Sequence, residues 1–220
     1  MRILCLHGMG TNSKPQVFQM QTTALRHQLG HPQAHHFEFI DGGEPCDLAP
    51  GIETFISAEE ALAYYDPKSA PSILAAIDDL SYWLAENGPF DGVMGFSQGA
   101  SLAAMVMARA RFANPPLFSF GVFFCAGLPY CEDSLRAGEA KFLRAADGVG
   151  PVIHVPTAHI VGREDPDVAH GTGLAELCQE WGRVLLDHGA GHEIPLAPVE
   201  VTKNMASVVA QVMRKSTFGQ

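Results

Sequence analysis

Short, almost unbroken apolar runs alternate along the chain with longer stretches in which apolar residues return every three or four positions. The first pattern is that of buried strands and the second that of amphipathic helices. Residues 3–6 form an apolar run that stops at His7-Gly8. Residues 15–29 carry Val17, Met20, Leu25 and Leu29 at helical spacing and close on Gly30, and residues 35–40 hold the alternation Phe37, Phe39 of a second strand. Residues 71–87 predict a helix: Pro71 suits its first turn, Ile73, Ile77, Leu80 and Leu84 share one face, and Gly88-Pro89 end it. A short strand before Ser97 leads into an Ala-, Leu- and Met-rich helix over 100–111, and 117–126 is apolar nearly throughout, as in a strand covered on both faces. A short helix over 140–145, a strand over 155–161, a helix over 173–182, a strand over 184–186 and a closing helix over 199–213 follow, with 214–220 expected to fray. The alternation predicts one α/β domain over 1–220, with a mostly parallel central sheet of about five to six strands and helices on both faces.

One stretch departs from the rhythm. Residues 41–70 are interrupted by Pro45, Pro50, Gly51 and Pro67, yet carry Ile52, Phe55, Ile56, Leu62, Tyr64 and Tyr65. A long irregular segment with apolar members predicts a piece that folds over something, here a substrate cleft or a lid. Tyr64 and Tyr65 are its candidate substrate-facing residues.

Chemistry gathers at the ends of the predicted strands. Gly95-Phe96-Ser97-Gln98-Gly99 sits between a strand and a helix, where two glycines let the chain turn sharply and expose the serine hydroxyl. The spacing alone is common, and the flanking strand and helix make it a nucleophile elbow. Upstream, His7-Gly8-Met9-Gly10 follows the first strand, and its glycines let backbone N–H groups face a ligand. The N–H groups of Met9 and Gln98 are therefore candidate oxyanion donors. Asp165 follows the 155–161 strand and His192 lies in the glycine-rich turn after the last strand. The order Ser97, Asp165, His192 is that of α/β-hydrolases, so the expected fold is the α/β-hydrolase fold. Asp167, Glu132 and Asp133 compete for the acid, and His188 competes for the base. Ser101 reads as packing inside the helix and His7 as a support for its loop. The other histidines lack metal-ligand spacing, and neither a Walker loop nor a dinucleotide fingerprint occurs, so neither metal nor cofactor is expected.

Composition narrows the partners. With 47% hydrophobic and 17% charged residues the chain is ordinary globular material, and a formal charge of −10 disfavours nucleic acid or an anionic membrane surface. The five cysteines have no framework spacing, and Cys5, Cys125 and Cys178 lie in apolar runs as small core residues. With no signal-like or membrane-length run, reduced thiols predict a cytoplasmic protein.

The runs Arg2-Ile3-Leu4-Cys5-Leu6-His7-Gly8, Gly88-Pro89-Phe90-Asp91-Gly92-Val93-Met94-Gly95-Phe96-Ser97-Gln98-Gly99-Ala100, Gly162-Arg163-Glu164-Asp165 and Gly191-His192 resemble the fungal family of serine hydrolases, which also holds animal ovarian-cancer-associated hydrolases. The resemblance spans nearly the whole chain and places the family's catalytic residues on Ser97, Asp165 and His192. Where relatives often carry a tryptophan after paired tyrosines, this chain has Tyr64-Tyr65-Asp66-Pro67. The resemblance implies cleavage of a small-molecule ester or of a carrier-bound acyl thioester, including release of a polyketide acyl chain from an acyl carrier protein. An acidic carrier would need cations to dock on, and Arg109, Arg111, Lys141 and Arg144 are the candidates. Short- or medium-chain carboxylesterase, acyltransferase and non-catalytic binding module are the competing readings.

Overall fold

The computed structural model describes residues 1–12, 17–30, 34–52, 57 and 60–218. Phe55 and Ile56, named above, lie outside the described residues, as do Pro15, at the start of the first expected helix, and His31, one of the remaining histidines. The chain runs β1 (Arg2–Leu6), α1 (Val17–Gln28), β2 (His36–Ile40), β3 (Glu44–Pro45), β4 (Leu62–Ala63), α2 (Ala70–Asn87), β5 (Gly92–Phe96), α3 (Gln98–Arg109), β6 (Phe120–Phe124), α4 (Glu132–Arg136), β7 (Thr157–Val161), α5 (Val168–Glu176), β8 (Arg183–Asp187) and α6 (Val199–Phe218). Six strands form a parallel sheet in the order β2-β1-β5-β6-β7-β8, and β3 pairs with β4 in a small antiparallel ribbon.

Successive side chains of a strand leave on opposite faces, and each face of this sheet is covered. Leu4, Leu6, Val93 and Phe123 pack with Ile73, Ile77 and Leu80 of α2, Leu102 of α3 and Leu174 of α5. Ile3, Cys5, Met94, Phe120, Val122 and Phe124 pack on the other side with Phe18 and Leu25 of α1 and Met205, Val209 and Val212 of α6. Two apolar faces explain why β6 reads as an unbroken run: both alternations of its side chains are buried.

Three expectations are corrected. The helix placed at 173–182 begins earlier, as α5, because the chain past Glu176 is drawn into a parallel bridge between Ile153 and Cys178, with Val152 N–H donating to Leu177 O at 2.8 Å. The helix placed at 140–145 is absent: Phe142 is extended in an antiparallel bridge to Tyr130, and Leu143 N–H donates to Pro129 O at 2.8 Å, so helix forms instead at 132–136. The last helix continues past 213 to Phe218, since Met213 and Ser216 are buried and Lys215 Nζ donates to Trp181 O at 3.2 Å.

Two glycines decide whether the elbow can form. A Cβ on Gly99 would lie 2.4 Å from His7 O and 2.5 Å from Leu6 O, and one on Gly95 would lie 2.6 Å from the Ala100 backbone. These neighbours are main chain and cannot rotate away. Gly99→Ala is therefore expected to cost about 3 kcal/mol, the upper end of ordinary overpacking. That corresponds to a fall of roughly 6–12 °C in Tm. Thermal unfolding followed by circular dichroism checks it, and an unchanged Tm would refute the close approach.

Candidate active site

β5 delivers Ser97 to the carboxyl edge of the sheet, and α3 begins at the next residue. Ser97 has φ 53° and ψ −113°, a conformation that side chains other than glycine's rarely adopt. Strain of this kind costs about 1–3 kcal/mol and persists only where the surroundings enforce it. Here Ser97 N–H donates to Phe124 O at 2.9 Å, and Ser101 N–H donates back to Ser97 O at 3.1 Å. The hydroxyl is left facing outward.

The turns after β7 and β8 bring the other two groups to it. His192 Nε2 lies 2.9 Å from Ser97 Oγ, and His192 Nδ1 lies 2.7 Å from Asp165 Oδ2. Asp165 is only 3% exposed. Its second oxygen, Oδ1, accepts the Asp167 N–H at 2.8 Å, so both carboxylate oxygens have assigned donors. An imidazole with its proton on Nδ1 donates to Asp165 and leaves Nε2 to accept the serine proton, a relay that can activate a hydroxyl.

The rival groups have other partners. Asp167 contributes a backbone N–H to Asp165, while Glu132 is ion-paired with Arg109 at 2.9 Å and Arg136 at 2.6 Å. His188 has its Nε2 3.6 Å from Cys125 Sγ, its Nδ1 accepts the Ala190 N–H at 3.2 Å, and burial lowers its pKa. Ser101 Oγ donates to Leu128 O at 2.9 Å. His7 is fully buried, and desolvation lowers its pKa. Neutral, it accepts the Gly42 N–H on Nε2 at 2.9 Å and donates Nδ1–H to Gly8 O at 2.7 Å.

The two tyrosines separate. Tyr65 lines a cavity of about 280 Å³ together with Ser97, Met9, Gln98 and His192. Tyr64 does not line it: its hydroxyl accepts the His7 N–H at 3.0 Å and donates to Ile40 O at 2.8 Å, so it ties the loop after β1 to the end of β2. Of the two candidate substrate-facing residues, the structure therefore places Tyr65 on the cavity and Tyr64 away from it, where the chain bends after β4.

The side chain of Gln98 was not foreseen in a structural role. Its Oε1 accepts the Tyr64 N–H and its Nε2 donates to Tyr65 O, both at 2.8 Å, so the residue after the serine clamps the irregular segment onto the elbow. Tyr130, Phe142 and His170 were also missed as cavity residues. Phe142 lies in the 140–145 stretch whose local structure the spacing misjudged, and Tyr130 is its bridge partner. Tyr65 and Tyr130 meet edge-on at 6.1 Å, Tyr130 and Phe142 at 4.7 Å, and Phe142 and His170 at 5.1 Å, forming one aromatic wall.

Cys125, expected as a small core residue, is buried at the end of β6 with φ 41°. Burial pushes its thiol pKa up to about 12. Its donor atom, one from Asp165 and one from His192 all lie within 4.8 Å of one another, the grouping among the described residues able to hold a metal ion. The four cations proposed for a docking patch are largely engaged: Arg109 pairs with Glu132 and Asp78, Lys141 pairs with Glu139, and Arg144 leans over the Phe142 ring.

A family model described as Serine hydrolase (FSH1) matches residues 1–203. The chain belongs to this family. Among FSH1 relatives, Esterase FPY3 of Fusarium mangiferae is 66% identical over 220 residues, covering 100% of both chains. Esterase OVCA2 of Bos taurus is 31% identical, covering 90% of each. A carboxylesterase from Mesorhizobium loti, solved as a crystal structure, superposes with a TM-score of 0.57 at 16% identity, covering 96% of this chain and 86% of that one. That likeness establishes the α/β-hydrolase fold. As an FSH1 serine hydrolase the protein is an enzyme with esterase-type hydrolytic function. No described helix is long and apolar enough to cross a membrane.

Proposed function

We propose that the protein cleaves an ester or thioester through an acyl-Ser97 intermediate, with an apolar acyl group held along the wall of Tyr65, Tyr130 and Phe142. The observation that carries this reading is the continuous relay from Ser97 Oγ through His192 to Asp165 at the edge of that cavity. Ser97 Oγ attacks the acyl carbon as its proton passes to His192 Nε2. Asp165 holds the imidazole and stabilises its charged form. The carbonyl oxygen becomes an oxyanion bound by the N–H groups of Met9 and Gln98, the second at the positive end of α3. The bond to the leaving alcohol or thiol breaks as His192 returns the proton to it, and water repeats the sequence on the acyl-enzyme. In this reading the part of the 41–70 segment around Tyr64 and Tyr65 serves as a cleft wall anchored by Gln98, with Tyr65 as its inner surface.

A finer reading, release of a polyketide acyl chain from an acyl carrier protein, draws on the family resemblance. Two of the four candidate docking cations, Arg109 and Lys141, are already held in ion pairs, which favours a small-molecule ester or thioester as the substrate.

A panel of p-nitrophenyl esters from acetate to decanoate, with matching N-acetylcysteamine thioesters, tests the reading. Phe142→Ala is expected to lower kcat/KM for the octanoyl substrates about tenfold, as loss of roughly 1.5 kcal/mol of apolar contact requires, and to change acetate little. Equal losses on both would remove the acyl group from this wall. Failure of folded wild type to turn over any member would sink the hydrolytic assignment.

A further inference from the structure

The geometry points to an inhibitory site for a thiophilic divalent cation, zinc or cadmium, built from Cys125 Sγ, the Asp165 carboxylate and the His192 imidazole. The three donor atoms already lie within 4.8 Å of one another, and His192 Nδ1 is 2.7 Å from Asp165 Oδ2. A tetrahedral zinc, with bonds of about 2.3 Å to sulfur and 2.0–2.2 Å to nitrogen and oxygen, spaces its ligand atoms by roughly 3.3–3.7 Å. Side-chain movements of about 1 Å therefore bring these donors to bonding range.

The donor set chooses the ion. One thiolate with an imidazole and a carboxylate suits zinc or cadmium, whereas magnesium and calcium require oxygen ligands. The site has an entry path, since Cys125 and His192 both line the cavity beside Ser97. The sulfur is directed there by the backbone: Cys125 holds φ 41°, and its Sγ sits 3.5 Å from Glu193 O and 3.9 Å from Gly191 O, the carbonyls on either side of His192. His188 Nε2, 3.6 Å from the same sulfur, adds a further nitrogen beside it, and water can occupy the remaining position.

Binding changes the chemistry without any redox step. The cation bonds to Cys125 sulfur as the thiol proton leaves to solvent. It bonds to His192 Nδ1, whose proton is replaced by one on Nε2 through exchange with water, so one proton is released per cation. Nε2 then carries hydrogen and cannot accept the Ser97 proton. This loss of activity rests on the reading of His192 as the base; the binding itself does not.

The test is titration of the full chain with cadmium, read by the ultraviolet thiolate-to-cadmium charge-transfer band, and with zinc, read by fluorophosphonate labelling of Ser97. Wild type is expected to develop the band with a single equivalent of cadmium. Zinc should suppress labelling, and EDTA should restore it. Cys125→Ser should abolish the band and require zinc concentrations at least about tenfold higher to suppress labelling, since losing a ligand costs no less than the roughly 10–100-fold lost with an outer-shell partner. Cys125→Gly, which suits the positive φ, serves if the serine variant melts early, and Cys46→Ser and Cys131→Ser should keep the band. A band that survives in both Cys125 variants, its absence from wild type, or a Cys125-dependent band with labelling unaffected by zinc would each overturn the proposal. Wild type that never labels, even without metal, would defeat the catalytic reading while the cadmium band still judges the site.

Discussion

Replacing Ser97 by alanine is expected to lower kcat by on the order of 10⁴–10⁶, with the fold retained. The size of the effect follows from the proposed division of labour: without Oγ no acyl-enzyme forms, and only water held near the oxyanion donors can attack. Fold should survive because the backbone bonds that fix the elbow, Ser97 N–H to Phe124 O and Ser101 N–H to Ser97 O, do not involve the side chain. Intact mass after fluorophosphonate treatment, alongside kcat on the favoured ester, provides the check. One adduct on wild type and none on the variant is the expected pair of spectra. An adduct that persists in Ser97→Ala, or turnover within about tenfold of wild type, would move the nucleophile elsewhere.

Asp165→Asn should reduce kcat by on the order of 10³–10⁴, whereas Asp167→Asn should change it no more than about threefold. The contrast comes from the hydrogen bonds each residue makes. Asp165 Oδ1 already accepts the Asp167 N–H, so the introduced amide would keep its oxygen there and turn its NH₂ toward His192 Nδ1. The imidazole must then accept on Nδ1 and carry hydrogen on Nε2, the tautomer that cannot take the serine proton. Asp167 supplies only its main-chain N–H, which asparagine retains. Steady-state kinetics on one ester decides between the two acids. Comparable losses in both variants, or a larger loss at Asp167, would contradict the assignment of Asp165.

Local pattern carried far in this chain because most elements answer to local rules. The periodicity of Ile73, Ile77, Leu80 and Leu84 specifies α2, and the doubly apolar run through Phe120, Val122, Phe123 and Phe124 specifies a strand with both faces buried. The same holds for the elbow, where Gly95 and Gly99 are needed because main chain occupies the space a Cβ would take. The candidate site residues Ser97, Asp165 and His192 were legible because parallel strands deliver their carboxyl ends to one edge, so chemistry at strand ends converges without knowledge of any contact.

What lay between those elements was decided in three dimensions. Phe142 joins the cavity wall because Tyr130, twelve positions earlier, pairs with it as an extended bridge, and no periodicity over 140–145 records that pairing. Tyr64 and Tyr65 look alike in sequence, yet the bend that follows β4 sends the first to His7 and Ile40 and the second to the cavity. Gln98 clamps residues more than thirty positions away, and Cys125 meets the loop of His192 from the far end of another strand. A residue's own neighbours determine whether it folds as helix or strand; which distant groups its side chain then meets depends on how those elements pack, and that only the tertiary structure decided.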